Sequence, residues 1–76
     1  MTVTVHMHGS LRRFLPGGAD RTVLSVEPGA TVDTLLARLG AHRDTAFVAV
    51  NGAMAERERV LHPDDMIDCF EPVAAG

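Results

Sequence analysis

Thr31-Val32-Asp33-Thr34-Leu35-Leu36-Ala37-Arg38-Leu39-Gly40 is the stretch whose reading settles the architecture. Thr31 is a helix-capping residue, because its hydroxyl can accept from a backbone N–H that the first turn leaves unpaired. Asp33 falls in that first turn, where a negative charge complements the helix dipole. Val32, Leu35, Leu36 and Leu39 recur at i, i+3, i+4 and i+7 and form one apolar stripe. Gly40 stands where a left-handed residue would close the helix. The pattern predicts a helix over residues 32–39. A helix this short does not persist alone in water, so its stripe must lie against a sheet.

The flanking sequence supplies that sheet. Upstream, Val3, Val5 and Met7 alternate with Thr4, His6 and His8, the period of a half-buried strand over 3–8. Gly9-Ser10 breaks it. Ser10–Leu15 reads as a helical turn with Leu11, Phe14 and Leu15 inward, and Pro16-Gly17-Gly18 ends it. A second strand over 22–27 places Thr22, Leu24 and Val26 on one face and stops at Pro28-Gly29. Downstream, Ala46–Val50 is apolar on both faces and reads as a central strand. Asn51-Gly52 is a tight-turn dipeptide. Residues 56–61 read as a short irregular strand, and His62-Pro63-Asp64-Asp65 as a turn. Residues 66–70 form a last strand with Ile67 and Cys69 on one face and Met66, Asp68 and Phe70 on the other. The order is strand, strand, helix, strand, short strand, strand. This is the α+β arrangement called β-grasp: a mixed four- to five-stranded sheet on one main helix, with a crossover that makes a parallel pair. Residues 1–70 are expected to form that domain and 71–76 an extended, flexible C-terminal tail.

Composition narrows the function. The chain has 76 residues, enough for one small domain that presents a surface more readily than it encloses a substrate. Hydrophobic residues make up 46% and charged residues 22%, as in a folded domain. A net charge of −3 argues against nucleic-acid binding, which needs clustered basic side chains. No stretch has the length of a membrane span or the layout of a signal peptide, and a lone cysteine suits a reducing compartment, so a cytoplasmic setting is expected. All seven basic residues are arginine; without lysine the chain cannot build isopeptide chains on itself. Glu56, Glu58, Asp64, Asp65, Asp68 and Glu71 face only Arg57 and Arg59 in the last third, which suggests a partner with a basic docking surface or simply a solvated face.

Three pieces, taken in order, resemble the MoaD/ThiS-like ubiquitin-like sulfur carriers, and within them the small subunits of molybdopterin synthase. They are Pro28-Gly29-Ala30-Thr31-Val32 running into Leu35-Leu36-Ala37-Arg38-Leu39; Val48-Ala49-Val50-Asn51-Gly52; and Leu61-His62-Pro63-Asp64-Asp65-Met66-Ile67 followed by Phe70-Glu71-Pro72-Val73-Ala74-Ala75-Gly76. The similarity runs along essentially the whole chain. It implies a carrier and not a catalyst. The Gly76 carboxylate would be adenylated by a ubiquitin-activating-like enzyme and converted to a thiocarboxylate, which delivers sulfur in cofactor biosynthesis, molybdopterin being the expected destination. ATP and magnesium would belong to the activating partner, and no cofactor would be bound by this chain. The second partner would be the large subunit of a sulfur-accepting synthase. Pro72, Val73, Ala74 and Ala75 would thread the tail into these partners, and Phe70 with Met66 would anchor docking on the sheet.

Two departures stand out. Pro63-Asp64-Asp65 replaces the family's Asp-Gly-Asp turn, at little cost if the turn is type I. Ala75 replaces the usual glycine of the tail. That substitution keeps open a β-grasp interaction module, or a protein modifier, with an inert or altered tail. Phe70 has a second reading as a core residue. His6 and His8 share a strand face two residues apart, but their spacing supplies no third ligand and no metal is expected. His42 and His62 read as surface residues, Cys69 as a small core hydrophobe, and Asp64-Asp65 as turn formers.

Overall fold

The computed structural model describes residues 1–72, and the tail expectations for Val73, Ala74, Ala75 and Gly76 lie outside the described residues. Five strands, β1 (Thr2–Met7), β2 (Arg21–Ser25), β3 (Phe47–Val50), β4 (Ala53–Ala55) and β5 (Met66–Phe70), form one sheet in the order β2-β1-β5-β3-β4. The helix α1 (Val32–Leu39) lies against one face. Its cap is as the sequence predicts: the Thr31 side chain accepts from the Thr34 N–H, and Gly40 closes the helix at φ 78°. Val32, Leu35 and Leu36 join Val3, Val5, Met7, Val48, Val50, Ile67 and Cys69 in the core, while Leu39 packs at its margin. Leu11 and Leu15, held by the 3-10 segment Gly9–Phe14, close one end of that core.

The hydrogen-bonded parallel pair joins the first and last strands, Val5 opposite Ile67 and His6 opposite Asp68. Strands β2 and β3, which the helix connects, run in the same direction on either side of that pair, so the crossover does not itself make the parallel pair expected of it. The β3–β4 hairpin turns at Asn51 (φ 52°) and Gly52 (φ 84°), the two left-handed residues that a twist-matched two-residue turn requires.

Three expectations are corrected. Strand β3 is an interior strand, paired with β5 and β4, but it is not covered on both faces; it alternates, with Val48 and Val50 buried and Phe47 exposed. Its apolar outer residues therefore mark an open surface and not a second core. The fourth strand is Ala53–Ala55, not residues 56–61, where only a single bridge between Thr31 and Val60 forms. The hairpin captures the residues immediately after its turn, and the chain then leaves the sheet. Finally, the turn before β5 does not suit every residue. Asp64 adopts φ 66°, the left-handed region in which a glycine would be unstrained. Aspartate tolerates this better than most side chains. Asp64→Gly is expected to raise stability by up to about 1 kcal/mol, because relief of strain outweighs the added freedom of the unfolded chain; the denaturation midpoint in urea checks it.

Candidate functional site

The face of the sheet opposite α1 carries no covering element among the described residues. Strand pairing sets its side chains in rows: Arg21, His6, Asp68, Ala49 and Met54 across the middle, and His8, Phe70 and Phe47 at the end from which the chain leaves the sheet. Met54 is 68% exposed, Val23 64% and Phe47 41%. Phe70 and Met66 are half-buried on this face. The Phe70 ring stacks on Phe47 at 5.0 Å and on the His8 imidazole at 4.4 Å. Phe70 is thus an outward residue and does not complete the core. Register explains it: in a strand of period two, the inward Ile67 and Cys69 force Met66, Asp68 and Phe70 outward. The structure brings Phe70 and Met66 onto one open face, at opposite ends of β5, with His6 and Asp68 in the row between them and His8 beside Phe70.

The base of the tail is tied down. The Glu71 carboxylate accepts from the Ser10 N–H at 3.1 Å and from the Ser10 hydroxyl. These bonds, side chain first, hold its pKa below the ordinary value. Gly9, at φ 62°, is the residue that permits the approach, since a Cβ there would collide with the Glu71 carboxylate. Pro72, the last described residue, follows directly and is exposed.

The acidic run does not make one docking surface. Asp65 is 5% exposed; its carboxylate accepts from the Asn51 side chain at 2.8 Å, the His62 N–H at 2.8 Å and the Arg59 guanidinium at 3.3 Å. Burial pushes its pKa up, and these bonds more than offset the push, leaving it below 3.8. It staples three turns together and is more than the turn former its position suggests. Asp68 lies between His6 and His8, and Arg57 pairs with Asp33. Charges adjacent in sequence are thus dispersed or neutralised in space.

Cys69 is fully buried, and burial, aided by the Asp68 charge, pushes its thiol up to about 12. At neutral pH it stays a thiol, which suits the core role expected for it and not nucleophilic chemistry. His42 and His62 are exposed, as expected. Sequence reasoning missed the third partner of His6 and His8. The ligand atoms of His6, His8 and Asp68 lie within 4.8 Å of one another, so this trio could hold a metal ion. The parallel register that unites them joins residues about sixty positions apart and leaves no local signal. No helix among the described residues is long and apolar enough to cross a membrane, and the described residues form no pocket.

The model of the ThiS family matches residues 5–76 of the chain. Among solved structures, SAMP1 from Haloferax volcanii superposes with a TM-score of 0.79 at 23% identity, covering 100% of both chains. A second structure, of H. volcanii small archaeal modifier protein 1, gives a TM-score of 0.77 at 23% identity over 95% of this chain and 98% of that one. A Pyrococcus furiosus protein assigned as molybdopterin converting factor, subunit 1, gives 0.76 at 22% identity over 95% of this chain and 98% of its own. At these identities the structures attest the β-grasp fold. No curated protein matches the chain in sequence.

Proposed function

Because the chain belongs to the ThiS family, whose members are small carriers and not themselves catalysts, we propose that it carries sulfur as a thiocarboxylate on Gly76. The observation that supports this reading best is the open apolar face of Phe70, Phe47, Met66 and Met54, which ends where the chain departs through Glu71 and Pro72. A partner seated on that face has the tail within reach.

The chemistry follows from the poor reactivity of a carboxylate, whose two oxygens share the negative charge. In the proposed cycle the Gly76 carboxylate attacks the α-phosphate of ATP, bound with magnesium by a ubiquitin-activating-like enzyme, and pyrophosphate leaves. Sulfide, or a persulfide whose S–S bond is then cleaved by a thiol, displaces AMP from the acyl-adenylate. One difficult step becomes two easier ones. The large subunit of a sulfur-accepting synthase would then take the sulfur, with molybdopterin as the proposed destination and a cytoplasmic setting. The fold shared with the molybdopterin converting factor subunit is compatible with this. Pro72, Val73, Ala74 and Ala75 supply a narrow lead-in with no long side chain. The resemblance in fold to the H. volcanii small archaeal modifier protein 1 favours a second reading, a protein modifier. It uses the same activated carboxylate but passes it to an amine.

Intact mass distinguishes them. Incubation with ATP, an activating enzyme of this family and a sulfur donor is expected to replace one oxygen of the chain by sulfur. Covalent adducts with other proteins would establish the modifier reading instead. Stable complex formation with no change in mass would leave a binding module. Phe70→Ala should weaken the complex with the activating enzyme about tenfold or more, the loss typical of a central aromatic anchor. Titration calorimetry checks it, with Val60→Ala, an exposed residue beyond β4, as the unaffected comparison.

A further inference from the structure

We propose that His6, His8 and Asp68 form a binding site for a divalent transition-metal ion such as Zn²⁺, Co²⁺ or Ni²⁺. The inference rests on these residues alone and is independent of the sulfur chemistry at Gly76.

Three observations carry it. First, the donors converge. His8 Nε2 lies 2.9 Å and His6 Nδ1 3.2 Å from the same oxygen, Oδ1 of Asp68. Zinc–nitrogen and zinc–oxygen bonds of about 2.1 Å set tetrahedral ligand atoms roughly 3.4 Å apart. The two measured edges fall just short of that, so a small outward shift of the side chains admits an ion. Both ring nitrogens face one carboxylate oxygen, and the metal would take the place between them.

Second, the donors are held in place. His6 and Asp68 are cross-strand partners in the central parallel pair, and the His8 N–H bonds the Cys69 carbonyl at 3.1 Å. The His8 ring is fixed between His6, at 4.1 Å between centroids, and Phe70, with an interplanar angle of 10°. All three side chains are about one-third exposed or less, so part of their ordering cost is met before an ion arrives.

Third, a further carboxylate stands behind one ligand. With Nδ1 toward Asp68, the far nitrogen of His6, Nε2, faces Asp20 Oδ2 at 3.9 Å. A metal-bound imidazole carries its proton on the nitrogen away from the ion and commonly donates it to a carboxylate. Asp20 is placed for that role. Arg21, opposite His6 on β2, is the nearest cation along the row, and it makes no ion pair among the described residues.

The donor set selects the ion class. Two imidazoles and one carboxylate suit first-row transition metals and not Mg²⁺ or Ca²⁺, which prefer all-oxygen shells. Three protein ligands on an open face leave at least one position for water. The site adjoins the Phe70 surface, so an ion would add positive charge to the docking face.

The untagged full chain, titrated with Co²⁺ and Zn²⁺, tests the proposal by visible absorption and calorimetry. One ion per chain is expected. Binding should be lost in His8→Gln, His6→Gln and Asp68→Asn, each with its circular dichroism unchanged, and kept in His42→Gln and His62→Gln. Asp20→Asn should weaken it about tenfold, the lower end of the range for an outer-shell partner. Substoichiometric Ni²⁺ should broaden NMR signals of His6, His8 and Phe70 first. Absence of saturable binding by Zn²⁺, Co²⁺ and Ni²⁺ overturns the proposal. So does binding that survives His8→Gln, or broadening centred on His42, His62 or the amino terminus.

Discussion

Removal of Gly76 is expected to abolish the oxygen-for-sulfur mass change while leaving the melting temperature of the domain untouched. The prediction follows from where the chemistry would sit. The described sheet ends at Phe70, and Glu71 is secured to Ser10, so the described contacts that hold the fold together are all made ahead of the tail. The reacting carbonyl, by contrast, would be moved back by one residue and onto an alanine. Glycine leaves the approach to its own carbonyl unobstructed and accepts backbone angles barred to other residues. Ala75→Gly is the complementary variant. If the activating site demands a left-handed residue at 75, alanine costs roughly 1–2 kcal/mol there, and the glycine variant should react about tenfold faster. If the channel demands only a small side chain, the two should react alike. Intact mass followed over time separates these outcomes. Full loading of the chain lacking Gly76 would show that the chemistry does not depend on a terminal glycine and would overturn the role given to Gly76.

The second large effect concerns stability. Asp65→Ala is expected to cost about 2–4 kcal/mol, a large share of what a domain of this size possesses. The side chain is buried, and its removal strands the Asn51 amide, the His62 N–H and one bond of the Arg59 guanidinium. Asp65→Asn keeps one accepting oxygen and should cost less. The same carboxylate makes stability fall in acid. Its pKa in the folded protein lies below the ordinary 3.8. A group depressed in this way contributes its full stabilisation above the unfolded value and loses it as pH falls through the folded one. Thermal melts from neutrality down to strongly acidic pH should therefore drop more steeply below about pH 4 for the unmodified chain than for Asp65→Asn.

What could be read from the sequence, and what could not, divides along physical lines. The helix was legible because its signals are local: a cap at Thr31, a stripe through Leu39 and a closing Gly40. The last strand was legible too, because Asp68 between Ile67 and Cys69 marks the outward face, although Phe70 taken alone could be read either way. The outer face of the strand within Ala46–Val50 was not legible, because apolar residues on both faces look the same whether or not a second layer covers them. The short fourth strand was placed too late, since three small residues after a turn carry little periodicity. Asp64 could be recognised as a replaced glycine, but only the backbone shows that the position kept its left-handed geometry. The staple at Asp65 and the meeting of Asp68 with His6 and His8 depend on strand register between distant segments. No window of sequence contains that information.

The central parallel pair has a mechanical consequence. Strand β5 is bonded on both sides, to β1 and to β3. Tension applied to the chain beyond Phe70 runs along the strand axis, across hydrogen bonds that lie mainly transverse to it. Both ladders are then loaded in shear, with many bonds resisting together, whereas a pull directed across the strand would open its bonds one at a time. If the tail is drawn upon as proposed, the body behind it is built to hold its shape.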